Sequence, residues 1–329
     1  MEFAYLIIFL ALVFDFYNGM NDAANSIATI VSTRVLTPGQ AVAWAAFFNF
    51  FAAFVFGVSV ATTIGKGIVD VSVVDNIVIF SGLIGAIILS ASATHLGLPI
   101  SISHAIIGGY GGAAVAKAGF SALILSGYTK ILLFVFLAPL LGMVMALFFS
   151  IITLWVVRNT SPSKVDVYFR KLQLVSSASF SLSHGSNDAQ KTIGIIAIVL
   201  FTNNLIGKTF YIPFWVIILS YSVIAIGTLV GGRKVIRTLG MRVTKLTPFG
   251  GFSAETSAGL TVIMATILGI PVSTTHTITG AIIGVGSVQR FSAVRWGVAR
   301  NILWAWILTI PLSALVAMLT YYIIAYFSG

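Results

Sequence analysis

Long apolar runs alternate with short polar stretches along the whole chain, and the runs fall into two sets of five. The first set covers roughly residues 5–31, 40–61, 76–96, 98–116 and 131–157, and the second covers roughly 172–202, 211–231, 253–269, 271–289 and 301–327. A run of about 20 apolar residues is long enough to cross the hydrocarbon core of a bilayer as a helix. The pattern therefore predicts an all-α polytopic membrane protein.

The runs that start at residues 98, 253 and 271 are short and rich in Gly, Pro, Ser and Thr. Interrupted segments of this kind are typical of broken helices or re-entrant hairpins, which in transporters occupy corresponding positions of two halves. We therefore expect about 10–12 membrane segments, the number depending on whether each short run crosses the bilayer or turns back inside it.

The composition agrees with a lipid environment. The chain is 58% hydrophobic and 8% charged, whereas soluble domains carry roughly 25% charged residues. The absence of cysteine excludes disulfides, thiolate metal sites and cysteine nucleophiles. The net charge of +10 is typical of basic cytoplasmic loops in a membrane protein. We therefore predict that the protein resides in a lipid bilayer and does not bind nucleic acid.

Basic residues are unevenly divided between the loops. If ten crossings alternate the loops between two sides, thirteen of the 18 Lys and Arg residues lie on one side, at residue 34 and in segments 158–171, 233–245 and 290–300. The other side has four, which are Lys66, Lys117, Lys130 and Lys208, and Lys191 lies inside an apolar run. The excess marks the first side as cytoplasmic. Both termini are then predicted to lie outside, in a multi-pass protein of the cell (inner or plasma) membrane.

The same count orients the two halves oppositely. Each half has five runs, an odd number, so the second half enters the membrane from the opposite side. The sequence thus predicts two inverted-topology repeats, residues 1–157 and 172–329, joined by a basic cytoplasmic linker at residues 158–171.

One short motif occurs in each half. Residues 18–26 read NGMNDAANS and residues 184–192 read HGSNDAQKT, at a shift of 166 positions. The chain has only eight acidic residues, and two of them, Asp22 and Asp188, hold the same place in this motif. A carboxylate inside an apolar run is costly and is by default functional. A structural clamp between helices is the alternative role.

The duplicated motif predicts a paired cation site at the interface of the two halves. Carboxylate, amide and hydroxyl oxygens suit a hard cation, and sodium fits this set. A protonated carboxyl is the other solution, because burial disfavours the charged form. The candidate cation ligands are Asn21, Asp22, Asn25, Asn187 and Asp188, with Ser101 and Ser273 from a second motif.

The second motif is also duplicated. Residues 93–108 read ATHLGLPISISHAIIG and residues 265–280 read ATILGIPVSTTHTITG, with nine identities at a shift of 172 positions. Gly followed by Pro interrupts a helix, and a Ser or Thr just after the Pro can cap the helix that restarts. A helix that starts inside the membrane offers free N–H groups, which favour an anion. Two such starts predict a site for a tetrahedral oxyanion such as phosphate or sulfate.

The candidate anion ligands are the hydroxyl and imidazole groups that follow the two prolines. They are Ser101, Ser103, His104, Ser273, Thr274, Thr275 and His276. Helix capping is the alternative role of the hydroxyls, and structural hydrogen bonding is that of the histidines. Because Asp22 and Asp188 would repel a bare anion, a cation must neutralise them, and binding of the two ions is predicted to be coupled.

Three further polar residues lie in apolar runs. Lys191 follows Asp188 by three positions, where it either pairs with that carboxylate, contacts the anion or extends to the membrane surface; Asn25 is its neutral counterpart in the first half. Glu255 has no acidic mate in the first half, and both a cation or gating role and an interfacial position are open to it. Asp15 lies seven residues before Asp22, on a similar helix face, and is a candidate for the ion pathway.

The two motif pairs resemble the inorganic phosphate transporter (PiT) family. Its signature is a G-x-N-D-A-type element in each half, here GMNDAANS and GSNDAQKT, with a paired P-x-S-x-[ST]-H element, here PISISH and PVSTTH. The resemblance covers almost the whole chain. This chain differs from animal members of the family in two ways. It lacks their long insert between the halves. It also has Asn49 near the position where those members have a glutamate that corresponds to Glu255 of the second half.

The resemblance implies a sodium/phosphate symporter, a secondary active transporter that imports inorganic phosphate with sodium ions and commonly forms a homodimer. It implies no enzymatic activity and no cofactor, sodium being a co-transported ion. The substrate is expected near the membrane midplane between the two repeats. A proton-coupled phosphate or metal-phosphate symporter and a sulfate permease remain open, because some bacterial relatives carry sulfate. A channel is less compatible with duplicated interrupted helices.

Overall fold

The computed structural model describes residues 2–207 and 209–328, so Lys208, which was counted among the outer basic residues, lies outside the described residues. Within them the chain forms α-helices and short 3-10 helices in an order that occurs twice. The first six helices are α1 (Glu2–Ser32), α2 (Pro38–Phe51), α3 (Ser59–Lys66), α4 (Asn76–Leu96), α5 (Ile102–Ala118) and α6 (Leu125–Val157). The second six are α7 (Pro162–Thr202), α8 (Phe214–Val230), α9 (Arg233–Arg242), α10 (Pro248–Ile267), α11 (Thr274–Gln289) and α12 (Trp296–Ser328).

The helices differ in their suitability for contact with lipid. Four of them, α1, α4, α6 and α12, are long and apolar enough to cross a membrane, and the bent pairs α2–α3 and α8–α9, which turn by 82° and 77°, raise the number to six if each pair is one span. The helices α7 and α10 and the short α5 and α11 do not meet this criterion of length and apolarity, because they carry the polar motifs and are largely buried. The predicted all-α polytopic membrane fold is confirmed.

The segment between the halves is mostly helical. Of the predicted linker, residues 158–161 connect two helices, and residues 162–171 form the first turns of the 41-residue helix α7. Pro162 occupies a first-turn position, where its fixed φ suits a helix and its missing N–H costs nothing. Asp166 and Arg170, one turn apart, add an ion pair at 2.8 Å. The predicted linker is thus a four-residue connection followed by a largely exposed extension of α7.

The centre of the molecule is built around the motif-bearing parts of α1 and α7. Nearly every residue from 21 to 30 and from 183 to 200 is buried, on all faces of both helices. By contrast, α6 and α12 expose large apolar side chains such as Phe136 and Trp304. This arrangement places polar chemistry inside and apolar surface outside, as a bilayer requires.

The two halves pack against each other reciprocally. At Gly185 in α7, a Cβ atom would lie 2.6 Å from the carbonyl oxygen of Asn49 in α2, and Gly19 in α1 meets the backbone at Ile224 in α8 in the same way. Likewise α5 packs on α12, and α11 packs on α6. The helices α1, α5 and α11 therefore each pack most extensively on a helix of the other half, whereas α7 packs most extensively on α10 of its own half.

Candidate functional site

The site contains two helix interruptions, one between α4 and α5 and one between α10 and α11, and they have the same geometry. After α4, Gly97 adopts φ 75°, and after α10, Gly269 adopts φ 67°, a left-handed conformation that suits glycine. The next helices then restart at Ser101 and Ser273, whose side-chain oxygens each accept a hydrogen bond from the backbone N–H three residues on, at 3.2 Å. The Gly-Pro pattern predicted these broken helices correctly. Both serines occupy the capping position that was the alternative to a ligand role.

The asparagines of the first motif tie it to the second motif. Asn21 donates from Nδ2 to Thr94 Oγ1 at 3.0 Å, and Asn187 donates from Nδ2 to Thr266 Oγ1 at the same distance. The Oδ1 atom of Asn187 also accepts from the backbone N–H of Val272 at 3.2 Å. Both ends of the Asn187 amide are thus engaged by the helix interruption, so in this structure the residue acts as a clamp that positions Asp188.

The tips of α5 and α11 meet each other. The rings of His104 and His276 pack edge to face with centroids 4.6 Å apart, and His276 also stacks on Trp306 at 3.7 Å. Ser103 Oγ donates to the carbonyl oxygen of Val272 at 3.1 Å. The two histidines therefore lie together at the seam between the tips, and the structure gives them a packing role.

Asp22 and Asp188 converge on His184, a residue that the sequence analysis did not select. The His184 Nε2 atom lies 3.1 Å from one Asp188 oxygen and 3.8 Å from one Asp22 oxygen, and all three side chains are buried. The Nδ1 atom lies 3.1 Å from Asn49 Oδ1. Because His184 precedes Asp188 by four residues, the two share one helix face, and that spacing was the signal available in the sequence.

Hydroxyls of the α11 tip connect the two carboxylates. Thr274 Oγ1 donates to Asp188 Oδ2 at 3.1 Å, and Thr275 Oγ1 lies 3.4 Å from Asp22 Oδ1. Asn25 donates from Nδ2 to Thr275 Oγ1 at 2.9 Å and to Thr274 Oγ1 at 3.3 Å. The N-terminus of α11, from the second half, therefore contacts Asp22 of the first half.

Lys191 is fully inside the site. Its ammonium pairs with Asp188 Oδ1 and also contacts Ser103 Oγ at 2.6 Å and the carbonyl oxygen of Val272 at 3.2 Å. The side chain is 1% exposed, so it does not extend to the membrane surface. Of the roles left open by the sequence, pairing with Asp188 is the one the structure has.

Glu255 is buried elsewhere, between α1, α7 and α10. Its carboxylate accepts hydrogen bonds from Thr29 Oγ1 at 2.5 Å, Ser176 Oγ at 2.5 Å and Gln173 Nε2 at 3.1 Å. Glu255 is therefore held inside the protein by three hydrogen bonds. Asp15 is buried too, next to Asn18 and Thr192, and within the described residues its carboxylate oxygens make no hydrogen bond of ordinary geometry.

Two cavities lie behind the helix interruptions. One of about 240 Å³ is lined by residues 96–99 and Thr238, and one of about 280 Å³ is lined by residues 268–271, Lys66 and Lys130. The two linings correspond at the 172-residue shift of the second motif. Neither lining includes Asp22 or Asp188, so the buried ion-pair cluster is closed from both cavities in this conformation.

Known proteins are similar to this chain over nearly its full length. A family model described as the phosphate transporter family matches residues 18–317. A probable low-affinity inorganic phosphate transporter of Rhizobium meliloti (strain 1021) is 53% identical over 316 residues, covering 96% of this chain and 95% of that protein. Its counterpart in Bacillus subtilis (strain 168) is 40% identical over 321 residues, covering 97% and 96%.

The fold is also shared with a solved structure. A protein described as the sodium-dependent phosphate transporter superposes with a TM-score of 0.88 at 28% sequence identity, covering 99% of this chain and 100% of that chain. The likeness therefore includes both halves, the broken helices and the motif-bearing centre.

Proposed function

This chain belongs to the phosphate transporter family, and from that premise we propose that it imports inorganic phosphate by symport with sodium ions. The resemblance carried by the two motif pairs is confirmed by the family match. Membership of a transport family also confirms the prediction that the chain is not an enzyme. The coupling ion, the ligands and the direction of transport are the parts that the proposal adds.

The observation that carries the proposal is the position of two buried carboxylates against two helix starts. The N-termini of α5 and α11 offer backbone N–H groups and positive dipole ends, which favour an anion. Asp22 and Asp188 lie next to these tips and oppose an anion unless a cation accompanies it. The helix N-termini attract phosphate and the two carboxylates repel it, so phosphate binds only when a cation neutralises the carboxylates.

In this proposal the phosphate lies at the tips of α5 and α11, where the backbone N–H groups are donors. The hydroxyls of Ser103, Thr274 and Thr275 become further donors when phosphate replaces their present acceptors, which are Val272, Asp188 and Asp22. Sodium lies against the carboxylates of the two Asn-Asp motifs. Each ion raises the affinity for the other by the same factor, as linkage requires. Binding energy of the pair then drives the conformational change that exposes the site to the other side.

The two cavities supply the routes of access. The cavity behind Pro271 is flanked by Lys66 and Lys130, which the charge count assigns to the outer side, so its field favours entry of an anion. The cavity behind Pro99 lies next to α9, whose basic residues are assigned to the cytoplasm. Inverted orientation of the repeats, a cell-membrane location with outer termini and a homodimeric assembly complete the proposal.

A second candidate is favoured by one observation. Asp22, His184 and Asp188 each offer a ligand atom, and these atoms lie within 4.8 Å of one another. An imidazole with two carboxylates is a donor set that suits a divalent transition metal better than it suits sodium. The alternative is therefore import of a metal-phosphate complex, with a proton as the driving ion. The buried Asp15 carboxyl, seven residues from Asp22, fits a proton route, because it has no ion-pair partner among the described residues and a buried unpaired charge is costly.

One experiment separates these candidates. Radiolabelled phosphate uptake is measured in proteoliposomes with a sodium gradient or a pH gradient imposed separately, each with and without a divalent metal. We expect uptake to follow the sodium gradient. Uptake that follows only the pH gradient and requires the metal would assign the metal-phosphate function, and stronger inhibition by sulfate than by unlabelled phosphate would assign sulfate as the substrate.

A further inference from the structure

We propose that the Lys191 ammonium is a built-in cation that permanently fills one of two duplicated cation positions beside the phosphate site, so that only the position at Asp22 takes an exchangeable cation. The inference rests on the proposed function, since it specifies how many cations the Asn-Asp motifs exchange. It concerns a residue to which the phosphate transporter family match gives no role.

The surroundings of Lys191 have the chemistry of a small cation site. The ammonium contacts a carboxylate oxygen of Asp188, the hydroxyl oxygen of Ser103 and the carbonyl oxygen of Val272. Ser103 donates its own hydroxyl proton to Val272, so its oxygen presents a lone pair to Lys191. The three oxygens come from α7, from α5 and from the interruption between α10 and α11. Oxygen ligands of this kind suit a hard monovalent cation. Here they meet the three N–H groups of an ammonium.

These contacts also exclude the competing role for Lys191. An ammonium has three N–H donors and no acceptor. Since all three donors have protein partners, none is left for a phosphate oxygen in this conformation. Lys191 therefore neutralises Asp188 without being a ligand of the anion.

The first half carries the matching position without the charge. By the motif shifts of 166 and 172, Asn25 corresponds to Lys191, and Thr275 corresponds to Ser103. The contacts correspond as well, because Asn25 Nδ2 lies 2.9 Å from Thr275 Oγ1 where Lys191 Nζ lies 2.6 Å from Ser103 Oγ. At this position Asp22 has a neutral amide beside it instead of an ammonium.

The asymmetry has a direct consequence for coupling. A lysine moves with the protein and is not released, so it contributes neutralisation without contributing a transported ion. The position at Asp22 must recruit a cation from solution each time phosphate binds. Of the two positions, one therefore couples phosphate to an ion gradient and the other does not.

The test is the sodium dependence of phosphate binding to the purified full-length protein in detergent. Labelled phosphate is titrated at a series of sodium concentrations, with ionic strength held constant by a large organic cation. The slope of the logarithm of apparent Kd against the logarithm of sodium concentration counts the sodium ions bound with phosphate, by linkage. The variants are Lys191→Asn, which makes the second half match the first, and Asn25→Lys, which makes the first match the second. Lys164→Asn, an exposed lysine on the same helix, is the matched control.

For Lys191→Asn we expect the slope to steepen by one ion relative to the unmodified protein, so that each tenfold rise in sodium improves the apparent Kd by about a further tenfold. For Asn25→Lys we expect the slope to fall by one ion or to zero. Lys164→Asn is expected to match the unmodified protein. If protons are the coupling ion, the sodium slope of the unmodified protein is zero, and the same changes in slope are expected against proton concentration at a fixed sodium concentration.

Several outcomes would overturn the inference. Lys191→Asn could bind phosphate with an unchanged slope, or could retain its thermal unfolding temperature and bind no phosphate at all, which would make Lys191 an anion ligand. If Lys191→Asn does not fold, an unchanged slope in Asn25→Lys decides against the inference. Failure of the proposed function is a different result, namely that the unmodified protein neither binds nor takes up phosphate under any cation gradient.

Discussion

At the scale of single residues, the site is a balance of buried charges. Two carboxylates, one ammonium and one imidazole lie within a few side chains of each other, and all are nearly or fully buried. Removing one member of a buried pair leaves the other uncompensated, which is strongly destabilising. A variant of Asp22 or Asp188 therefore tests ion binding without loss of folding only if the new side chain can still accept a hydrogen bond.

Asp22→Asn and Asp188→Asn meet that condition. Each amide keeps an oxygen for the neighbouring threonine but removes the negative charge, so we expect each variant to lose cation-stimulated phosphate uptake in proteoliposomes. The exposed Asp75→Asn change, which breaks a surface pair with Lys117, serves as the control and should retain uptake. Near-normal uptake by both site variants, with intact thermal unfolding profiles, would falsify the paired-carboxylate site.

The hydroxyls that cap the broken helices allow a second residue-level test. Ser101→Ala and Ser273→Ala each remove the acceptor for a backbone N–H, at a cost of about 1 kcal/mol in stability. Threonine can cap in the same way, so Ser101→Thr and Ser273→Thr should recover most of that loss. If capping is their role, phosphate uptake should follow stability in thermal unfolding assays. Loss of uptake in a threonine variant of full stability would instead assign a ligand role to that serine.

At the scale of helices, close approach of backbones holds the two halves together. Gly185→Ala would place a Cβ atom 2.6 Å from the carbonyl oxygen of Asn49, so α2 and α7 must separate. Overpacking of this kind costs about 1–3 kcal/mol. Gly297→Ala in α12 is the matched control, since nothing lies within 4 Å of its added Cβ atom. We expect a lower unfolding temperature for the first variant and an equal or higher one for the second, and equal temperatures for both would contradict close packing at Gly185.

The sequence predicted the helix interruptions from local signals. Gly97, Pro99, Gly269 and Pro271 are local signals, and the structure breaks the helices there. Apolarity, however, does not separate a helix that faces lipid from one buried among other helices. The run at 40–61 likewise predicts one helix, while the chain turns by 82° between α2 and α3, because packing on α7 and α8 decides the path.

The site was only partly predictable for the same reason. Asp22, Asp188 and Lys191 could be selected from a repeated motif, and His184 from its one-turn spacing to Asp188. The hydrogen-bond donors to Glu255 could not be predicted. They are Thr29, Gln173 and Ser176, which are 226, 82 and 79 positions away from it along the chain. Such sets are brought together by tertiary packing alone, and no local pattern marks them.

At the scale of the whole molecule, the inverted orientation of the repeats can be tested at two identical tripeptides. Phe120–Ala122 and Phe291–Ala293 both read FSA, both form a short 3-10 helix, and each precedes the last helix of its half. The charge count places the first outside and the second in the cytoplasm. Ser121 and Ser292 are exposed, and the chain has no native cysteine.

We therefore expect Ser121→Cys and Ser292→Cys to be labelled by a membrane-impermeant thiol reagent from opposite sides of the membrane. Intact cells label only the outer position, and inverted vesicles label only the cytoplasmic one. The unmodified chain, which has no thiol, gives the background. Labelling of both positions from the same side would contradict the inverted repeats and, with them, the predicted location of the termini.

The reciprocal packing of the halves also bears on biosynthesis. The first half emerges from the ribosome while α8, α11 and α12, the neighbours of α1, α6 and α5, are still untranslated. Until they arrive, the glycine-lined surfaces of α1 and α5 and the carboxylate of Asp22 have no protein partner from the second half. The nascent first half therefore lacks the packing partners of α1, α5 and α6 until the last helix of the chain has been translated.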